Sequence, residues 1–267
     1  MNWVEMLSLS RSQDVNFGSY EASPSEREAS RYDGYEYNWA EAGATAREGG
    51  MPFDPDIWDV KKQAAGLAQN IQNGDIDVAV VEIGGNDVTF RPFTGNGYDA
   101  AWEADVVNSI FDSIAILTTA AEQSGNELSV IVSLIGLIPD QDIKNESRAR
   151  INALILERAT VEGILTFTLL GGIDNPERWD ADGLHIGDLT INDFVEKANI
   201  HEDDLVPEGT PGAGACNSQG MCAGPHHSAH FKADDEFGGH PNTAIQGLAA
   251  NEVLTAINIE YQVNHFN

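Results

Sequence analysis

Basic residues are scarce in this chain: Lys and Arg together number 14 against 43 Asp and Glu in 267 residues, for a formal charge of −29. A surface of that sign repels phosphate backbones, so nucleic acid is excluded as a partner, and an anionic bilayer is disfavoured for the same reason. The acid is spread along the sequence and not gathered into a tail. It fits a solubility feature, either of a protein bathed in salty water, where counterions screen the self-repulsion, or of an acidic protein with no special habitat. Long apolar runs are also missing. The longest are strand-length, and none approaches the roughly 20 residues of a membrane span. Met1-Asn2-Trp3-Val4-Glu5-Met6 offers no basic segment followed by an apolar stretch, so no signal peptide is expected in the chain as given. Cysteine is confined to Cys216 and Cys222, in a Gly-rich stretch. Two alternatives stand there: a small disulfide loop, which would imply an oxidising compartment, or two free thiols. His226, His227 and His230 lie close by, but their spacing matches no zinc signature, and no metal is expected. A Gly-rich phosphate loop after the first strand is absent as well, which with the charge disfavours a nucleotide-binding protein.

What is present is a globular composition, 42% apolar, long enough for one large domain or two small ones. A short helix is expected around Trp3–Leu7, a short strand around Val15–Phe17, and a second around Tyr35–Trp39, leading into the small residues Ala42-Gly43-Ala44-Thr45. Ile57, Val60, Ala64, Leu67 and Ile71 recur at helical spacing, and Asn73-Gly74 ends that helix. Asp77–Ile83 is a nearly continuous β-branched run, the pattern of a strand buried on both faces of a parallel sheet. The alternation continues with a helix over Ala101–Ala121, a strand over Leu128–Ile135, a helix over Glu146–Glu162 and a strand over Ile164–Leu170. Such alternation predicts an open, mostly parallel α/β sheet. Residues 171–238 are rich in Gly, Asp, Asn and Pro and read as long loops with a short helix near Ile191–Lys197. A final amphipathic helix is expected over Thr243–Glu260. With no internal repeat and no second core, residues 1–267 are expected to form a single domain carrying a loop-rich insertion at about 171–238.

Chemistry is sought beyond the carboxyl ends of the strands, where parallel sheets form their ligand sites. Gly84-Gly85-Asn86-Asp87 stands there, directly after the strongest strand. Two glycines permit a sharp turn, and Asn86 could then aim an amide donor into the crevice, although Gly, Asn and Asp also make simple turns. His240 precedes Pro241-Asn242-Thr243 at the start of the last helix, a rigid yet accessible setting for a general base. Asp234, Asp235 and Glu236 lie just before it, and one of them could orient the imidazole. Asp182-Gly183-Leu184-His185 is a weaker Asp–His pair, with no helix start behind it, and Asp-Ala-Asp-Gly at 180–183 has only part of a calcium-loop pattern.

Three of these patches, in order, resemble the SGNH hydrolases, also called GDSL esterases or lipases. Asn38-Trp39-Ala40-Glu41-Ala42-Gly43-Ala44-Thr45 is similar to the family's second block, whose glycine gives a backbone donor to the oxyanion hole. Gly85-Asn86-Asp87 is similar to the third, whose Asn gives a side-chain donor. His240-Pro241-Asn242-Thr243, with Gln246-Gly247 and Ala249-Ala250-Asn251 after it, resembles the fifth, whose His activates a serine. The likeness covers most of the chain, loosely across 171–230. It implies a three-layer α/β/α domain with a mostly parallel central sheet of flavodoxin-like topology. It also implies hydrolysis of a carboxylic or carbohydrate ester through an acyl-serine intermediate, without a cofactor.

On that resemblance the catalytic residues are His240, Asp235, Asn86 and Gly43. The family places its acid three residues before the His, where this chain has Phe237, so Asp235 is the first choice and Asp234 the next. The family's opening Gly-Asp-Ser block is absent. Ser19, in Phe17-Gly18-Ser19-Tyr20, is a weak substitute because it lacks the Asp and sits too near the second block, while Ser8, Ser10 and Ser12 look like a helix end and loop. The expectation is therefore a sheet missing its first strand, a chain inactive as given, and an intact form that is a secreted or periplasmic monomer. The alternative is a non-catalytic carbohydrate- or surface-binding protein on the same fold. DNA upstream of Met1 would discriminate, through an in-frame Gly-Asp-Ser stretch or a stop.

Overall fold

The computed structural model describes residues 3–21, 34–41, 43–49, 57–94, 96–136, 142–168 and 249–259, together with five short strands between 179 and 223. The chain divides into two compact units, one of residues 1–15, 137–141 and 168–254, the other of 16–136, 142–167 and 255–267.

The second unit is the α/β one. It opens with β1 (Tyr20–Glu21) paired antiparallel to β2 (Gly34–Tyr35). The strand expected at Val15–Phe17 is not formed. Phe17 and Ser19 instead lend their carbonyls to the N–H groups of Tyr37 and Glu36, at 2.9 Å each, and regular pairing begins only at Tyr20. Helix α2 (Val60–Asn73) starts where Asp59 accepts from the N–H groups of Lys61 and Lys62 at 2.9 and 3.1 Å. It stops at Gly74, which adopts φ +79°, a left-handed conformation that glycine enters without steric cost. Strand β3 (Val78–Val81) runs parallel to β4 (Ser129–Leu134), with Val78 opposite Ser129 and Val81 opposite Val132. With β5 (Leu165–Thr168) they form a three-stranded sheet in the order β3-β4-β5.

Between β3 and β4 lie α3 (Gly85–Phe90), a 3-10 turn (Arg91–Thr94) and α4 (Ala100–Ser124). Asp99 caps α4 by accepting from Trp102 N–H at 3.0 Å, and Gly125 ends it. Asn126 then donates to the Ile71 carbonyl at 2.7 Å, tying the chain just past α4 to the last turn of α2. Ala64 and Ile71 of α2 belong to one apolar core with Val106, Ile110, Ile114 and Leu117 of α4, Ala79 and Val81 of β3, and Val130 and Val132 of β4. α5 (Asp142–Glu162) adds Ile151, Ile155 and Ala159. By length and composition α4 could cross a membrane, but 56% of its most apolar window is buried within the molecule, which suits the core helix of a packed domain. It also holds a buried carboxylate: Glu103, 2% exposed, accepts from Ser147 Oγ at 2.8 Å and from Arg150 at 2.7–3.0 Å. A charge placed there is satisfied by protein partners.

In the first unit, α1 (Trp3–Ser10) buries Val4 and Leu7. The stretch expected to be loop carries strands: β6 (Trp179–Asp180), β7 (Gly183–Ile186) and β8 (Leu189–Thr190) form an antiparallel set, and β9 (Leu205–Pro207) pairs with β10 (Met221–Ala223). Elements of two to four residues are too short for alternation to reveal them in a sequence. The last helix is described over 249–259, with Ala249, Ala250, Val253 and Ala256 buried. The helix expected at 191–197 lies outside the described residues.

Candidate functional site

The carboxyl end of β3 is where the described residues gather polar groups. Gly84 leaves the strand at φ +105°, a conformation that L side chains rarely adopt. A Cβ there would also lie 2.8 Å from Ile135 Cδ1. The chain therefore turns at once into α3, and the four-residue patch expected to be a turn is in fact a helix start. This puts the side chains of Asn86 and Asp87 on the first turn, facing the 43–47 segment.

That segment is held from several sides. Asn86 Nδ2 donates to the Ala44 carbonyl at 2.9 Å. Asp87 Oδ2 accepts from Ala46 N–H at 2.6 Å, and Oδ1 from Arg47 N–H at 3.2 Å. Val60 N–H, at the start of α2, donates to the Thr45 carbonyl at 3.1 Å, and Thr45 Oγ1 donates to the Arg47 carbonyl at 2.8 Å. Upstream, Ala44 N–H donates to the Glu41 carbonyl at 3.2 Å while the Glu41 carboxylate accepts from Trp58 N–H at 2.8 Å. Ala44, Thr45 and Ala46 are buried, and Gly43 stands at the head of the segment with φ +86°.

Of the residues singled out from sequence, the structure thus brings Gly43 and Asn86 onto neighbouring segments joined by a direct hydrogen bond at the next residue, Ala44. His240, Asp234, Asp235 and Glu236 lie outside the described residues, as do His226, His227 and His230. Ser19 is exposed; its N–H donates to the Glu36 carboxylate at 3.3 Å. Ser8 donates to the Val4 carbonyl within α1, as its helix-end setting suggested.

Asp87 was not given a role by the sequence, and it is the most perturbed acid described. It is 4% exposed, and burial drives its carboxyl from 3.8 up to about 7, against the opposing pull of the Ala46 and Arg47 N–H groups and the Arg47 guanidinium. The clue was the run Val88-Thr89-Phe90 directly behind it, which leaves no polar loop for an acid to occupy. Arg47 itself is tied to Asp105 of α4 through Nε. Arg148 of α5, buried like Asp87, donates through Nη1 to Asn145 Oδ1 at 2.9 Å, and burial lowers its pKa to about 10.

Chemically, the arrangement offers a primary amide at a strand end, a backbone segment fixed against it, and a carboxyl poised to titrate near neutrality. Among the described residues no cluster of His, Cys, Asp and Glu could hold a metal ion. Comparison with protein-family models, with curated proteins and with solved structures finds no match.

Proposed function

We propose that this chain is the scaffold of an SGNH-type ester hydrolase, with a three-layer α/β/α arrangement around its parallel strands. The observation that carries the proposal is the joining of two patches some 40 residues apart, through Asn86 to Ala44 and Asp87 to Ala46 and Arg47. These patches are the ones that resemble the family's second and third blocks.

In the proposed reaction a serine oxygen attacks the ester carbonyl and its proton passes to His240, which Asp235 orients. The carbonyl oxygen becomes an anion that takes hydrogen bonds from Gly43 N–H and from Asn86. A primary amide has two N–H donors, so Asn86 can serve the anion while the other N–H stays on Ala44. The alcohol leaves with the proton from His240, and a water deprotonated by His240 then releases the acid. In the family that serine stands in a Gly-Asp-Ser block, and the 267 residues contain no such block. The chain alone should therefore hydrolyse p-nitrophenyl acetate no faster than buffer.

The test compares the chain with a form extended by a Gly-Asp-Ser-bearing strand. The extended form should turn over the ester, lose about 100- to 1000-fold in kcat with Asn86→Ala, and lose nearly all activity with His240→Ala. An extended form that is inactive, or whose activity is indifferent to both substitutions, would overturn the proposal. Turnover by the unextended chain that depends on His240 would show that the nucleophile has been wrongly assigned.

A further inference from the structure

We propose that Asp87 is a positioning residue, whose buried carboxylate grips the 43–47 segment and thereby sets where Gly43 N–H stands relative to the Asn86 amide. The proposal deepens the hydrolase assignment and rests on it only for what is being positioned.

Asn86 and Asp87 are consecutive on the first turn of a helix, so their backbones move together. Asn86 binds the segment at Ala44, and Asp87 binds it at Ala46 and Arg47. Contacts on either side of Thr45 define a direction along the segment, which a single contact would leave free to pivot. Thr45 is held by Val60 of α2, Ala44 N–H by the Glu41 carbonyl and the Arg47 carbonyl by Thr45 Oγ1, so the segment is stiff and a change of grip at Ala46 and Arg47 is passed along it towards Gly43. An ionised carboxylate accepts strongly on both oxygens, whereas a protonated one carries a donor and a hydroxyl oxygen that is the weaker acceptor. When Asp87 is protonated, the N–H on its hydroxyl oxygen is held less tightly. The Ala46 contact is the shorter, 2.6 Å against 3.2 Å, so the proton falls on Oδ1 and the Arg47 N–H contact is the one loosened.

The charged groups around Asp87 favour such a two-state grip. Arg47, on the gripped segment, is the charged side chain that acts on it, and Arg47 is in turn bound by Asp105 of α4. Burial opposes ionisation, while the N–H groups of Ala46, Arg47 and Asp87 itself and the Arg47 charge favour it, and the balance falls close to neutrality. The segment should therefore pass from a looser to a tighter grip as the pH rises through that range.

The experiment follows assigned resonances of the chain from pH 5 to 9 by NMR, with no substrate present. The Asp87 carboxyl carbon should titrate far above an ordinary carboxylate. The amide protons of Ala46 and Arg47, the Gly43 amide and the Asn86 side-chain NH2 should all move with the same midpoint. Asp87→Asn should abolish the common transition. Should that variant fail to fold, the wild-type series decides by itself. A shared midpoint at Ala46 and Arg47 with Gly43 and Asn86 unmoved would reduce Asp87 to a local structural contact and overturn the proposal. So would an ordinary carboxylate titration. Because no turnover is measured, these outcomes are independent of whether the chain proves to be a hydrolase.

Discussion

Replacing Asp87 with Asn should change how the stability of this protein depends on pH, and the sign of the change decides which force dominates at the site. Burial raises the Asp87 carboxyl from 3.8 to about 7. Between those values the folded protein retains a proton that the unfolded chain has already given up. A carboxyl raised in this way stabilises the fold fully below about pH 4, and that contribution is lost as the pH climbs through about 7. At about 1.4 kcal/mol for each pH unit, the interval from 3.8 to 7 corresponds to about 4 kcal/mol. Partial relaxation around the carboxylate would reduce this, so a loss of about 2–4 kcal/mol is expected. Asn matches the protonated acid in size and cannot ionise, so wild type and variant should be close in stability at pH 4. The variant should then gain on the wild type by that amount up to pH 8, and the difference should level off above it. Urea unfolding of both proteins from pH 4 to 9 measures this, and subtracting one series from the other cancels the titration of the other 42 acidic side chains out of 43. A difference that is flat with pH would show that Asp87 is not desolvated as described. A variant that loses ground as the pH rises would show that the two backbone N–H groups outweigh burial, and the reasoning would fail.

Two further substitutions probe the frame that carries the site. Gly66 lies in the middle of α2 with the ring of Trp39 against it, and an added Cβ would sit well inside van der Waals contact of ring atoms Cε3 and Cζ3. That ring is anchored by Nε1 donating to Asn70 Oδ1 at 3.0 Å, so Gly66→Ala should destabilise by about 1–2 kcal/mol, after the roughly 1 kcal/mol of helix propensity that Ala gains. Urea midpoints and Trp fluorescence read it, and a more stable variant would refute the close packing. Arg150→Met leaves the buried Glu103 carboxylate with Ser147 alone, and because Arg150 is itself half-exposed the expected cost is reduced to about 1–3 kcal/mol. Adding Glu103→Gln should recover part of it, and a double-mutant cycle with no coupling between the two positions would count against the pairing.

The regular elements of the α/β unit could be read from side-chain pattern. The β-branched run at 77–83 became β3, the helical spacing from Ile57 to Ile71 became α2, which begins only at Val60 and has Gly74 at its end, and the long helix expected at 101–121 is α4, extended by one residue before and three after. These features follow from local chemistry, since burial period, capping and glycine conformation are written within a few neighbouring residues. The same local information pointed to Asn86 at a strand end, whereas Gly43 was singled out through the resemblance of its block to the hydrolase family.

Local pattern failed where the partner is distant. The Gly84–Asp87 patch has turn composition, yet it opens α3, because Val88, Thr89 and Phe90 bury themselves behind it. Short strands such as β6 to β10 had no period long enough to register. Length, acidity and the alternation of the longer elements, α2, β3, α4, β4, α5 and β5, were settled by residue identity alone. The meeting of Asn86 with Ala44, and the perturbed carboxyl of Asp87 between Ala46 and Arg47, had to await folding. Hydrogen bonds and desolvation act through space, between positions some 40 residues apart in the chain.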